Sequence, residues 1–292
     1  MSDALRVLAT GPQVLVQDRG RPGLAHLGVP RSGALDAGAA ALALRLLGEP
    51  GGRALLEVLL GGLEVRLEGE RARWCVVTGA PGPVSVAGRA VGHGVPVPVR
   101  PGDRLVVGPA TAGLRRVVAV SGGVDVAPVL GSRSTDLLSG LGPPPVQVGD
   151  LLPLGRPAGP PVGLDVAAPG RASYDREGAL VLRVLPGPRA DHVEPLRDGV
   201  ARPVLPASDR VGLRLGGPPL GRAPGAPVGE PASEGVVHGA VQVPPDGRPV
   251  VFLADHPVTG GYPVVGVVHP DDLDACAQRR PGERVVLRPV AR

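Results

Sequence analysis

The sequence predicts a mainly β protein with few, short helices, on three observations. Gly and Pro supply 46 and 37 of the 292 residues, a share that alone would read as low complexity. Hydrophobic residues nevertheless make up 43% of the chain, enough to bury a core. The apolar residues fall in short Val- and Leu-rich runs at 63–67, 116–120, 180–185, 236–243 and 250–253. Each run is bounded by turn formers, the pattern of strands joined by tight turns.

The helical signals are sparse. Asp36 is placed to cap a helix over residues 37–47, rich in Ala and Leu, and Gly48-Glu49-Pro50 stops it. A second short helix is expected over 271–280, between Pro270 and Pro281-Gly282, and a helical turn around 193–197. A Pro-rich stretch at 155–169, with Pro157, Pro160, Pro161 and Pro169, divides the chain into an N-terminal half (1–155), a linker (156–169) and a C-terminal half (170–292). The halves close alike, with Pro101-Gly102-Asp103-Arg104-Leu105-Val106-Val107 in the first and Pro281-Gly282-Glu283-Arg284-Val285-Val286-Leu287 in the second. The likeness suggests two related β-barrels.

Composition excludes several chemistries. The chain contains no Lys, Asn or Ile, and every basic residue is Arg. A Schiff-base lysine, a Walker A phosphate loop and covalently attached biotin all require Lys, so none belongs to this chain. The net charge is +4, without a basic run and with four aromatic residues, Trp74, Tyr174, Phe252 and Tyr262. Nucleic-acid surfaces combine basic stripes with stacking aromatics, so no nucleic-acid partner is expected. Cys75 and Cys276 form no C-x-x-C pair, and His26, His93, His192, His238, His256 and His269 show no metal-ligand spacing, so no disulfide framework and no metal is expected. The N-terminus lacks the apolar core of a signal peptide and no 18-residue apolar stretch occurs. The expected location is the cytoplasm, with no membrane partner.

Candidate chemistry lies in acid-plus-Arg loops. In Gln17-Asp18-Arg19-Gly20-Arg21, Arg19 and Arg21 carry planar forks suited to carboxylate or phosphate, and Asp18 would orient one of them or act as a base; a salt-bridged turn uses the same residues. Gly122-Gly123 and Gly131-Ser132-Arg133-Ser134-Thr135 together resemble an anion cradle of hydroxyls, backbone N–H groups and a guanidinium. A loop-shaping pair of Arg133 with an acid such as Asp136 is the plainer reading. Ser208-Asp209-Arg210 and Asp255-His256-Pro257 repeat the acid theme, and Gly260-Gly261 before Tyr262 suggests close backbone approach to a ligand or partner. The candidate catalytic residues are Asp18, Arg133, Asp209 and Asp255. The candidate substrate- or anion-binding residues are Arg19, Arg21, Ser132, Ser134, Thr135, Arg210, Glu234, Gln242, Thr259 and Tyr262.

Taken in order, these pieces resemble one family along nearly the whole chain: the C-type subunit of 5-oxoprolinase, also called allophanate hydrolase subunit 2 and the carboxyltransferase A/B region of urea amidolyase. The first half carries Gln17-Asp-Arg-Gly-Arg21, Gly28-Val-Pro-Arg-Ser-Gly-Ala-Leu-Asp36, Gly122-Gly-Val124, Gly131-Ser-Arg-Ser-Thr135 and Gly149-Asp150. The second carries Gly187-Pro-Arg189, Ser208-Asp-Arg-Val-Gly-Leu-Arg-Leu215, Ser233-Glu-Gly235, Gln242-Val-Pro244, Gly247-x-Pro249 and Thr259-Gly-Gly-Tyr-Pro263. Where the family pattern has Thr-Thr before Gly-Gly-Tyr, Val258 takes the first place. The resemblance implies tandem cyclophilin-like β-barrels. It also implies a heteromeric, ATP-dependent 5-oxoprolinase acting on a small amide or lactam with A- and B-type subunits, ATP belonging to the assembled complex. Two alternatives accompany it: the carboxyltransferase component of a biotin-dependent urea or amide carboxylase, and a non-enzymatic regulatory partner of a B-like subunit.

Overall fold

The computed structural model describes residues 3–162, 172–227 and 229–291. The chain is mainly β, with 34% strand against 8% helix and curled sheets that include a half-barrel. It divides into two compact units, one of Met1–Pro22 with Ser32–Ala168, the other of Gly23–Arg31 with Pro169–Arg292. The excursion at Gly23–Arg31 thus groups with the second unit, whereas the sequence places it within the first half. Of the expected linker, residues 163–169 lie outside the described residues. Before them, Ala158 N donates to Glu49 Oε1 (3.2 Å) and Arg53 to Arg156 O (3.1 Å), so this part packs on the first unit.

In the first unit a six-stranded sheet runs in the order Leu151–Pro153, Ala4–Ala9, Leu63–Glu68, Arg104–Val107, Val84–Val86, Arg89–Val91. A five-stranded sheet runs Gln13–Gln17, Leu55–Leu59, Arg115–Val120, Arg73–Gly79, Val97–Val99. Strand Leu63–Glu68 buries alternate residues, as a strand with one core face must. Strand Arg115–Val120 is buried along its whole length because it is covered twice. Val118 and Val120 face the core shared by both sheets, while Val117 and Ala119 pack with the helix Ala37–Leu46. That helix starts where the sequence indicates, with Asp36 accepting from Ala39 N (2.8 Å).

The second unit carries an eight-stranded sheet, in which Val264–Val268, Ala240–Gln242 and Val250–Phe252 are consecutive neighbours. Beside it a two-residue ladder joins Glu234–Gly235 to Thr259–Gly260. The run 236–243 is a strand only at Ala240–Gln242, because Gly239 turns the chain with φ +84°. The expected turn at 193–197 is corrected to a 3-10 turn at Ala190–His192, since Val193 instead bridges Arg222. The helix expected over 271–280 shortens to a 3-10 turn at Pro270–Asp272 followed by Leu273–Cys276.

The similar endings of the halves are one turn used three times. Arg100–Asp103, Gln147–Asp150 and Arg280–Glu283 each place Gly third, at φ +87°, +93° and +87°, the conformation a type II turn reserves for Gly. In each the fourth residue's carboxylate accepts the first residue's N–H, at 2.8, 2.8 and 3.0 Å. Each turn then grips a neighbouring segment by a reciprocal pair of backbone bonds, to Leu67, Val7 and Val204 respectively. A strand follows at once: Arg104–Val107, Leu151–Pro153 and Arg284–Pro289.

Candidate functional site

The acid-plus-Arg loop of the first unit closes on itself. Asp18 Oδ1 accepts from Ser132 Oγ (2.6 Å), Ser134 Oγ (2.6 Å) and Gly20 N (2.8 Å), and Oδ2 accepts from Arg133 N (2.7 Å). Of the groups read from the sequence as an anion cradle, the Ser132 and Ser134 hydroxyls and the Arg133 N–H are therefore engaged with the chain's own carboxylate, while the buried Thr135 hydroxyl has no partner among the described residues. Arg133 turns away: Nε donates to Val126 O (2.7 Å) and Nη2 to Asp125 (2.8 Å), not to Asp136. Arg21 is buried, donating to Val129 O, Ser32 Oγ and Ser134 O. Thr135 is buried and its carbonyl accepts from Gln17 Nε2 (2.8 Å). Gly122 N, the second half of the expected cradle, is taken by the buried Glu49 carboxylate (2.7 Å). Arg19 is exposed and folds over Gly51, where any side chain would collide with its guanidinium.

In the second unit, Arg210 and Asp255 form a bidentate pair at 2.8 and 3.0 Å, both buried. Asp209 accepts from Val211 N and Gly212 N and shapes its turn. Arg210 and Asp255 hold the interior, whereas Asp209 is exposed on its turn.

Four other motif segments of this unit converge. Arg189 N donates to Val264 O (3.0 Å), anchoring the Gly187-Pro188-Arg189 loop beside the strand that follows Pro263. Arg189 Nη2 donates to Glu234 (3.0 Å), and Glu234 lies opposite Gly260 in the ladder. Gln242, buried, sends Nε2 to Tyr262 O (3.2 Å), and its amide occupies the space a side chain on Gly260 would need. Thr259 is exposed in the same ladder. The Arg189–Glu234 pair leaves Nε of one and Oε1 of the other shielded from water and without a partner, a donor and an acceptor that burial makes costly to leave unmatched.

A cavity of ≈ 370 Å³ opens beside this cluster. Its walls are apolar and stiff: Val193, Leu220, Val243, Pro244, Pro245 and Pro263. Its polar groups are His192, Arg222, Glu230 and Tyr262. The pairing of Val193 with Arg222, and the bonds Glu194 N to Gly221 O (2.8 Å) and Ala223 N to His192 O (3.2 Å), fix the root of Arg222. Of the polar lining, sequence reasoning singled out Tyr262. It passed over Arg222 and Glu230, which sit in a Gly/Pro loop with no periodicity to mark them. Burial pushes the Cys75 and Cys276 thiols up to about 12, so neither serves as a thiolate nucleophile at neutral pH. Among the described residues no group of three or more His, Cys, Asp or Glu is placed to hold a metal, and no helix is long and apolar enough to cross a membrane.

The family model described as carboxyltransferase domain, subdomain A and B, matches residues 27–289. The C-type subunit of 5-oxoprolinase from Escherichia coli (strain K12) is 34% identical over 287 residues, covering 94% of this chain and 87% of that one. The crystal structure of TTHA0988 superposes with TM-score 0.84 at 36% identity, over 99% of this chain and 55% of that chain. The crystal structure of the Kluyveromyces lactis urea carboxylase gives TM-score 0.84 at 26% identity, over 98% of this chain and 27% of that one. This chain thus spans about half the length of TTHA0988 and about a quarter of the urea carboxylase.

Proposed function

Because this chain belongs to the carboxyltransferase subdomain A and B family, we propose that it is the C-type subunit of an ATP-dependent 5-oxoprolinase, opening the lactam of 5-oxoproline to glutamate with A- and B-type subunits. The observation that carries the reading is the convergence of the Arg189, Glu234, Gln242 and Tyr262 segments, of which Tyr262 lines the cavity, with a buried donor and acceptor left unmatched at Arg189 Nε and Glu234 Oε1. A lactam carbonyl accepts from an N–H. An Arg N–H on that carbonyl would stabilise the negative charge that builds on oxygen as water adds to the amide carbon.

Among the described residues, the hydroxyl and backbone donors at Ser132–Ser134 already hold Asp18, and we assign nucleotide binding to the partner subunits. The role left to this chain is to bind and orient the lactam and to support its oxygen. Co-producing the three subunits and following glutamate release from 5-oxoproline tests the proposal. Turnover that requires all three chains and ATP is the expected result, and turnover undiminished by omitting this chain would overturn it.

A second reading, the carboxyltransferase component of a biotin-dependent urea or amide carboxylase, is favoured by the match to the Kluyveromyces lactis urea carboxylase over 98% of this chain. Carboxylation of urea when this chain is supplied with a biotin carboxylase and a biotinylated carrier would select it.

A further inference from the structure

We propose that the cavity of the second unit is a receptor for a small carboxylate carrying an N–H on the adjacent carbon, with Arg222 taking the carboxylate and Glu230 the N–H. The inference rests on the reading of this cavity as the lactam-facing site and deepens it by assigning the two ends of the ligand. Arg222 and Glu230 both line the cavity, yet among the described residues neither makes an ion pair, with each other or with any other group. Other Arg side chains among the described residues have a carboxylate at hand, as Arg73 does with Asp3 and Arg210 with Asp255. Arg222 commits only Nη2, to Gly229 O at 3.0 Å, which leaves Nε–H and the Nη1 hydrogens of its fork for a ligand. Its backbone is held from both sides by the pairing with Val193 and by the Glu194–Gly221 and Ala223–His192 bonds, so the fork is presented from a fixed root.

One cation and one anion, unpaired with each other on the same cavity, suit a ligand that brings both opposite charges or their hydrogen-bonding equivalents. A carboxylate alone would meet Arg222 but lie near Glu230; an amine alone would meet the reverse. A compound bearing both groups on one carbon satisfies the two at once. The proline-rich walls, at Pro244, Pro245 and Pro263, favour a compact body over a long flexible one. Both 5-oxoproline and its open form, glutamate, have this chemistry, and the experiment separates them.

Binding to the full chain is measured by calorimetry or ligand-observed NMR for four probes: 5-oxoproline, glutamate, 2-pyrrolidone, which lacks the carboxylate, and cyclopentanecarboxylate, which lacks the N–H. Saturable binding of 5-oxoproline or glutamate, with at least tenfold weaker binding of both truncated probes, is expected. Arg222→Gln should weaken the carboxylate-bearing ligand at least tenfold and leave 2-pyrrolidone unchanged. Arg222→Lys, which keeps charge without the fork, should recover part of the loss. Glu230→Gln should remove the advantage over cyclopentanecarboxylate, and Arg248→Gln, on an exposed turn, should change nothing. No saturable binding of either amino-acid-like probe by the wild-type chain, or unchanged binding by a folded Arg222→Gln chain, overturns the proposal. An assembled enzyme that opens 5-oxoproline with the same KM in Arg222→Gln removes this site and keeps the functional reading. A complex inert towards 5-oxoproline, with Arg222-dependent binding intact, does the opposite.

Discussion

At the scale of single residues, acid-plus-Arg motifs of similar appearance do different work. Asp209 accepts from the two N–H groups that follow it, whereas Asp255 grips Arg210 in the interior. Nothing in the local sequence separates the two, because the difference lies in which distant strand faces each side chain. Removing the Asp255 carboxylate strands a buried guanidinium, so Asp255→Ala should lose about 3–5 kcal/mol in urea unfolding, and the double change Arg210→Met with Asp255→Leu should recover most of it. A single-variant loss under about 1 kcal/mol would refute that account. Arg133→Lys is a contrasting case. Arg133 pairs with Asp125 at a partly exposed position, so the lysine variant should cost only about 0–1 kcal/mol and leave turnover of the reconstituted complex near normal. A large fall in turnover would return Arg133 to the candidate site.

Among elements, the repeated turn shows what the sequence made legible. The Pro-Gly-acid-Arg signature marks the turns at Gly102 and Gly282, and both are built as that chemistry dictates. The third, at Gly149, has Val148 in place of Pro, and only the shared bonding pattern reveals it. The helix Ala37–Leu46 was equally legible, since its cap, helix formers and stop are contiguous in the sequence. The short strands of the second unit were less so: Thr259–Gly260 is a strand because Glu234–Gly235 lies opposite, a fact no local pattern contains. The glycines differ in the same sense. A methyl on Gly102 meets nothing within 4 Å, so Gly102→Ala should cost only the left-handed backbone, about 1–2 kcal/mol. A methyl on Gly122 would collide with Gly155 O, so Gly122→Ala should cost clearly more. Equal melting temperatures for the two variants would contradict the distinction.

For the whole molecule, acid should act through His238. Burial, with Arg31 and His256 nearby, lowers its pKa to about 4 from the ordinary 6.5. Between those values the unfolded chain binds the proton and the folded chain does not, so stability should fall as pH drops from about 6.5 towards 4. Denaturant midpoints at pH 7 and pH 4.5 should differ less for His238→Gln than for the wild type; an identical pH dependence would remove His238 as the cause. The charge that helps hold His238 neutral comes from Arg31, at the end of a segment whose grouping with the second unit the sequence hid, because a Gly/Pro loop carries no mark of its distant companions.

That grouping sets an order of events during synthesis. Residues 23–31 leave the ribosome early, yet the rest of their unit begins at Pro169, roughly 140 residues later. At translation rates of 5–20 residues per second the segment waits roughly 7 to 30 seconds for its companions. The first unit can close in that interval only with a loop left hanging from it. A nascent chain arrested before the second unit emerges would therefore carry an open stretch between two already folded ends, a natural target for a chaperone or a protease.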